Sequence, residues 1–410
     1  MELLREMVAI NSFTQNGAGV NRLGAFTAES FAPLGFQPTF HAPSIPAFGN
    51  HLVLRRPAAP DAPTIALVSH LDTVFTEEEE ERNEFRWRRD GSRIYGPGTN
   101  DIKGGTALMH LMLAAMRDEA PEQFDRVNWV LLWNACEEVI SEDFGVLCRA
   151  QLPAKTLACL IFEADGGTAE SPSLVAARKG RCTFNVEVAG RGSHAGSAHR
   201  YGANAVVEIS RVITQLSAST DYERQLTVNV GSVHGGTVAN RVPHFASAEL
   251  EMRAFAPDVY AAAKARILGL AGDGEISSSE GKEHRCHVQV QMRHETGPWP
   301  RNVGTDRLIQ IWRKAGADAG INVRHEERGG LSDGNVLWDA FPTVDGLGPC
   351  GENSHCSEQT SDGRKEQEWV DADSFVPKAV LNISAMLKLL QGASATRSVG
   401  NDHPSPPRAR

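Results

Sequence analysis

Three runs constrain the fold of this chain most: "TIALVSH" (64–70), "NWVLLWNA" (128–135) and "LACLIFEA" (157–164). A strand with one wet face alternates apolar and polar residues. These do not alternate, and their length is that of a strand, so both faces need cover, as in a parallel sheet packed between helices. Helical patterns such as Gly104–Met116 separate them and supply that cover, which predicts an α/β sheet. Helices expected near 2–9 and 18–34 and the strand "HLVLRR" belong to the same layer.

Near Ala176 the pattern changes. From "CTFNVEVAG" onward the order reads strand, helix (202–217), strand "LTVNVGSV", strand "SAELEMRAF", helix (259–270), strand "CHVQVQMRH". That is βαββαβ, the split pattern of a ferredoxin-like sandwich. After it, a helix near 304–319, the strand "INVRHEE", the apolar run "PTVDGLG" and a helix over 374–390 resume the first texture. The expected organisation is a mixed α/β domain over 1–176 and 295–391, interrupted by a smaller inserted domain over 177–294. The polar, Pro- and Ser-rich end, 392–410, is expected to be a disordered tail, and "TEEEEERNEFRWRRD" (76–90) a solvated loop.

At 410 residues, two domains are the natural division. The 51 acidic residues outnumber 41 basic ones, so no phosphate-tracking field exists and a nucleic-acid partner is not expected. No stretch is apolar for long enough to cross a membrane, and "MELLREMVAI" reads as an amphipathic helix rather than a signal peptide. The seven cysteines lack CxxC spacing, which fits reduced thiols and a cytoplasmic compartment.

The chemistry-bearing residues cluster at strand ends. His70 and Asp72 close the first apolar run, and side chains two apart on an extended chain share a face. Asp101 stands among the glycines of "GPGTNDIKGG", just before a helix, where it could bridge two cations or cap the helix. Glu137 and Glu138 follow the second run, where paired carboxylates are costly without a cation or a raised pKa. Glu163 and Asp165 follow the third, and His355 emerges from the glycine-rich "GLGPCGENSHCSE". Open α/β sheets build their sites at such strand ends.

The series "SHLDTV", "GPGTNDIKGG", "CEE", "FEADGG", "GRGSHAG", "VANRVP", "EMR" and "GENSH" resembles the co-catalytic dizinc peptidase family that includes glutamate carboxypeptidase, acetylornithine deacetylase, succinyl-diaminopimelate desuccinylase and aminoacylase. The resemblance spans nearly the whole chain. It implies a metal-binding α/β domain with an inserted ferredoxin-like lid that also serves dimerisation. It further implies that His70, Asp101 and Glu163 hold one Zn²⁺ and Asp101, Glu138 and His355 a second, with Asp165 an alternative to Glu163. Two imidazoles and three carboxylates also suit Co²⁺ or Mn²⁺. In the same way Asp72 would fix the ring of His70, and Glu137 would be the general base.

In the lid, the resemblance implies that His194 reaches a partner's site in a homodimer to stabilise the oxyanion, and that Asn240 and Arg253 hold substrate. Arg293 and Ser332 are further substrate-binding candidates. Two departures lie near the expected cleft: His199, where relatives often carry proline, and an apparent insertion "CSEQTSDGRKEQ" after His355. The implied activity is a metal-dependent hydrolase cleaving an amide beside a free carboxylate, most like glutamate carboxypeptidase, acting on a small peptide or N-acyl amino acid. The competing readings are an N-acyl-amino-acid deacylase and, in another class, a binding protein that has lost its metals. Intact ligand positions argue against the last.

Overall fold

The computed structural model describes residues 1–139, 142–281 and 283–399, with the backbone alone over 394–399. The chain forms two compact units. The first comprises Met1–Ala176, Arg301–Glu327 and the chain from Ser332 onward. The second comprises Ala177–Pro300 and Arg328–Leu331.

The first unit is built on a six-stranded mixed sheet, ordered Gln37–His41, His51–Arg56, Asn128–Asn134, Thr64–His70, Ala158–Ile161, Thr343–Val344. The last four are mutually parallel, and the first two add an antiparallel hairpin at one edge. The continuous apolar runs are buried on both faces, as the absence of alternation requires. On one face Ile65, Leu67, Trp129, Leu131, Trp133 and Leu160 pack under the helices Gly17–Phe31, Lys103–Glu119, Val303–Asp318 and Phe375–Val399. On the other, Ala66, Val68, Val130, Leu132, Cys159 and Ile161 meet Phe144, Cys148, Leu337 and Phe341.

A second, four-stranded antiparallel sheet joins distant segments in the order Gly351–Glu352, Trp369–Asp371, Arg93–Tyr95, Arg88–Asp90. The acidic run at 77–82 is a helix, not the solvated loop expected from its charge. Thr76 caps it, accepting from the Glu79 N–H at 3.1 Å, and its first turn carries four glutamates where the helix dipole favours negative charge. The final helix continues to Val399, so the expected unstructured tail does not begin at Gly392; residues 400–410 lie outside the described residues.

The second unit is a five-stranded antiparallel sheet, ordered Thr227–Gly235, Phe245–Ala254, Gly180–Ala189, Arg285–Thr296, Gly272–Ser277, with helices Ala205–Ser217 and Pro257–Leu268. Four of these strands have the order of a ferredoxin-like sandwich. The edge strand Gly272–Ser277 is an addition the sequence reading missed, because "GDGEIS" is rich in glycine and acidic residues. Gly180–Ala189 alternates strictly in burial, with Cys182, Phe184, Val186 and Val188 packed toward the helices.

Candidate metal centre

The four parallel strands end on one edge of the sheet, and the strand order reverses about Thr64–His70. His70 is the last residue of that strand, in register with Asn134, from which the chain turns through Glu137 and Glu138. Glu163 follows Ala158–Ile161 on the other side. Asp101 arrives from the turn before Lys103–Glu119, where Gly98 adopts φ +77° and its carbonyl accepts from the Lys103 N–H at 2.7 Å. A side chain at Gly105 would stand 2.1 Å from the Phe162 carbonyl oxygen, so glycine lets this helix begin directly against the strand that delivers Glu163. The small sheet brings in His355, on the connection between Gly351–Glu352 and Trp369–Asp371.

These elements bring together five residues predicted as ligands. His70 Nε2 lies 3.0 Å from Asp101 Oδ1 and 3.8 Å from Glu163 Oε1. His355 Nε2 lies 3.3 Å from Asp101 Oδ2 and 3.1 Å from Glu138 Oε2. Asp101 thus faces one imidazole with each oxygen. It does not cap the helix behind it: the capping position falls on Ile102, without a side-chain bond. Glu138 Oε1 is buried and has no hydrogen-bond partner among the described residues.

Burial opposes charge on His70, but the hydrogen bond to Asp101, the nearby Asp72 carboxylate and the field of Glu163 raise its pKa well above the ordinary value. Hydrogen bonds to Asp101 and Glu138 push His355 up to about 11. Asp101 titrates far below the usual carboxylate range: burial works against this, and bonds to His355 and His70 outweigh it. Burial, reinforced by Asp101, raises Glu138, and burial raises Glu137 strongly.

Asp72 differs in detail from its expected role. The His70 ring donates from Nδ1 to the main-chain carbonyl of Asp72 at 3.0 Å, while the carboxylate is 3.6 Å away. That carboxylate accepts from the Glu137 N–H at 3.0 Å, the Glu138 N–H at 3.2 Å and the Thr14 hydroxyl at 2.7 Å. It therefore holds the turn that carries both glutamates. Asp165 is occupied elsewhere: it forms a buried ion pair with Lys378 and accepts from the N–H groups of Gly167 and Ser173 at 2.6 and 2.8 Å. A second His, Cys and Asp group, His51, Cys136 and Asp143, flanks the turn. There His51 accepts from the Ala135 N–H at 3.1 Å and faces Asp143 at 3.4 Å, bracing the segment before Glu137.

Two buried acids escaped the sequence reading. Glu368 is fully buried, and burial, reinforced by Asp101, pushes its carboxyl up to about 8 against three backbone N–H donors. Asp333 accepts from Asn134 Nδ2 at 2.8 Å and is raised by burial to about 7. The only signal for either was an acid within an otherwise apolar or turn-forming segment.

Ser332 belongs to the first unit but is buried, its hydroxyl donating to Asp345 at 2.8 Å and capping the turn Asp333–Val336, so it is not free for substrate. In the second unit, His194 and Asn240 sit on adjoining exposed loops, linked by the Ala195 N–H to the Asn240 carbonyl at 3.0 Å. His194 Nδ1 accepts from the N–H groups of Gly196 and Ser197, which leaves Nε2 as its outward donor. Arg253 pairs with Glu251 at 2.9 Å and donates to the Gly329 carbonyl, and the exposed Arg293 occupies the bulge in Arg285–Thr296.

The chain is 25% identical over 399 residues to carboxypeptidase G2 of Pseudomonas sp. strain RS-16, covering 96% of this chain and 89% of the relative. It is 28% identical over 262 residues to acetylornithine deacetylase of Erwinia tasmaniensis, covering 59% and 64%. Among solved structures, aminopeptidase PepT of Bacillus cereus superposes with a TM-score of 0.71 at 20% identity, over 94% of this chain and 96% of that one. YXEP of Bacillus subtilis, a dinuclear metal binding peptidase, superposes with a TM-score of 0.64 at 13% identity, over 95% and 97%. Residues 66–379 match Peptidase family M20/M25/M40, and the chain belongs to that family of metal-dependent hydrolases.

Proposed function

We propose that the protein is a zinc-dependent amidohydrolase of the glutamate carboxypeptidase type, cleaving an amide beside a free carboxylate. The observation that carries this is the donor set: two imidazole Nε2 atoms facing three carboxylates, with the unpartnered Glu138 Oε1 buried among them. A buried oxygen without a donor is costly unless a cation completes it, so the residues fit divalent metal ions. His70, Asp101 and Glu163 would hold one, and Asp101, Glu138 and His355 the other. When bound, such a pair supplies acidity to a shared water and polarisation of the scissile carbonyl.

The chain's own groups do the rest. Glu137, placed by Asp72, takes the proton of the attacking water and returns it to the leaving nitrogen. Asp101 divides its oxygens between the two imidazoles and so fixes their separation. His194, from a second copy of the chain in a homodimer, would donate from Nε2 to the developing oxyanion, while Asn240, Arg253 and Arg293 would meet the substrate carboxylate. Similarity to acetylornithine deacetylase supports a second reading, N-acyl-amino-acid deacylation, by the same chemistry. No helix among the described residues is long and apolar enough to cross a membrane. The test is a substrate panel on protein depleted of metal and reloaded with Zn²⁺, Co²⁺ or Mn²⁺. Hydrolysis of peptidyl or folyl glutamates over N-acyl amino acids is expected. The reverse order would favour the deacylase, and no metal-dependent hydrolysis of either would overturn both.

A further inference from the structure

We infer that Glu368 is a positioning residue that sets the Asp101–His355 separation and thereby the affinity of the metal site containing His355. Its carboxylate grips both loops. Oε1 accepts from the N–H groups of Asn100 and Asp101 at 2.9 and 3.3 Å, and Oε2 accepts from the His355 N–H at 3.3 Å. The main chain of the same residue repeats the link: its N–H donates to the Cys356 carbonyl at 2.8 Å, and its carbonyl accepts from Gly96 at 3.4 Å.

His355 needs such a hold. It adopts φ +68°, and Asn353, two residues before it, φ +64°, a left-handed conformation uncommon for residues with a side chain. A backbone of this kind persists only where its surroundings over-determine it. Asn100 Nδ2 adds a bond to Ser354 Oγ at 2.8 Å, and a side chain at Gly351 would stand 2.3 Å from Asn100 Oδ1, so the two loops meet in close contact. With the loops locked, Asp101 Oδ2 and His355 Nε2 stand 3.3 Å apart.

Replacement by glutamine isolates this role. One oxygen becomes an NH₂ group, so either the His355 N–H or the Asn100 and Asp101 pair faces a donor instead of an acceptor. The inference rests on the metal-centre reading, and the experiment separates the two. Co²⁺ binding to wild-type, Glu368→Gln and Glu368→Asp proteins is measured by competition with a chromophoric chelator and by the visible cobalt spectrum, with urea unfolding of the metal-free proteins alongside. Wild type is expected to bind two ions. In both variants one ion should bind roughly 10–100-fold more weakly, the range for groups that orient ligands, with an altered spectrum. Activity should recover to within a few-fold at saturating metal, with KM nearly unchanged. Glu368→Asp, which keeps the carboxyl group but is too short to span both loops, tests the same point should the glutamine variant fold poorly. Two ions at unchanged affinities in a variant, whatever its unfolding midpoint, would overturn the inference and leave the metal centre standing. No cobalt binding by wild type would overturn both.

Discussion

Replacing Lys378 by methionine tests which acid after "LIF" belongs to the metal centre. The Lys378 ammonium and the Asp165 carboxylate are buried together, at 3% and 0% side-chain exposure, and Lys378 also donates to the Gly346 carbonyl at 3.0 Å. Methionine fills the space of the lysine stem but leaves Asp165 a buried anion without its cation. Breaking such a pair from one side costs about 3–5 kcal/mol. Asp165 keeps its bonds from Gly167 and Ser173, so the lower end, about 3 kcal/mol, is expected. Tryptophan emission during urea unfolding of the metal-free protein reads this well. Six of the seven tryptophans, Trp87, Trp129, Trp133, Trp312, Trp338 and Trp369, lie in the unit that holds the pair, and only Trp299 lies in the other. Metal stoichiometry should not change, and the double variant Asp165→Leu/Lys378→Met should recover most of the loss. A shift below about 1 kcal/mol, the size of an average substitution, together with a lost metal ion would show that Asp165 rather than Glu163 is the ligand.

Glu137→Gln should retain about two metals per chain and lose roughly 10²–10⁴-fold in kcat, whereas Glu138→Gln should lower metal occupancy; the opposite pattern in metal analysis would exchange their roles. His194→Ala should lower kcat by roughly 10²–10³-fold at constant metal content. Mixing it with Glu137→Gln chains should return part of the activity through heterodimers, and no recovery after verified subunit exchange would rule out a histidine acting in trans. Zn²⁺ at about 100 times its Kd should stabilise the first unit by about 2.7 kcal/mol over the chelated protein, read by the same tryptophan emission; coincident unfolding curves would mean that the metal is not bound to the folded unit.

The sheet was legible because its evidence is local. "TIALVSH", "NWVLLWNA" and "LACLIFEA" are apolar on both faces, and only a covered parallel sheet accepts such strands. The residues that converge on Asp101 were legible for a related reason, since each ends a strand or follows a glycine turn whose direction the sequence fixes within a few residues. The acidic run at 77–82 shows where local reading stops. Five successive glutamates read as solvated, yet Glu79 accepts from Ser357, and Glu80 accepts from Asn11 Nδ2 at 2.9 Å. Those partners lie far away along the chain, and composition alone carries no trace of them.

The same limit separates the residues that hold the proposed metal ligands from those ligands themselves. A ligand must be His, Asp, Glu or Cys, so a chain advertises it by type. A group that orients a ligand through its backbone N–H may be any acceptor, at any distance in sequence. Asp72 was noticed because it stands beside His70, yet its carboxylate serves the Glu137–Glu138 turn 65 positions later. Glu368 was passed over because it follows an apparent insertion and reads as the start of a short strand, although it spans 267 positions back to Asp101. The segment after His355 is itself anchored: Gln367 donates to the carbonyls of Asn83 and Ser357, at 3.0 and 3.1 Å, so the residue before Glu368 fixes the far end of the loop. Residues between His355 and Glu368 can therefore vary the surface beyond His355 without moving the histidine, because both ends of the segment are tied to the same fixed frame.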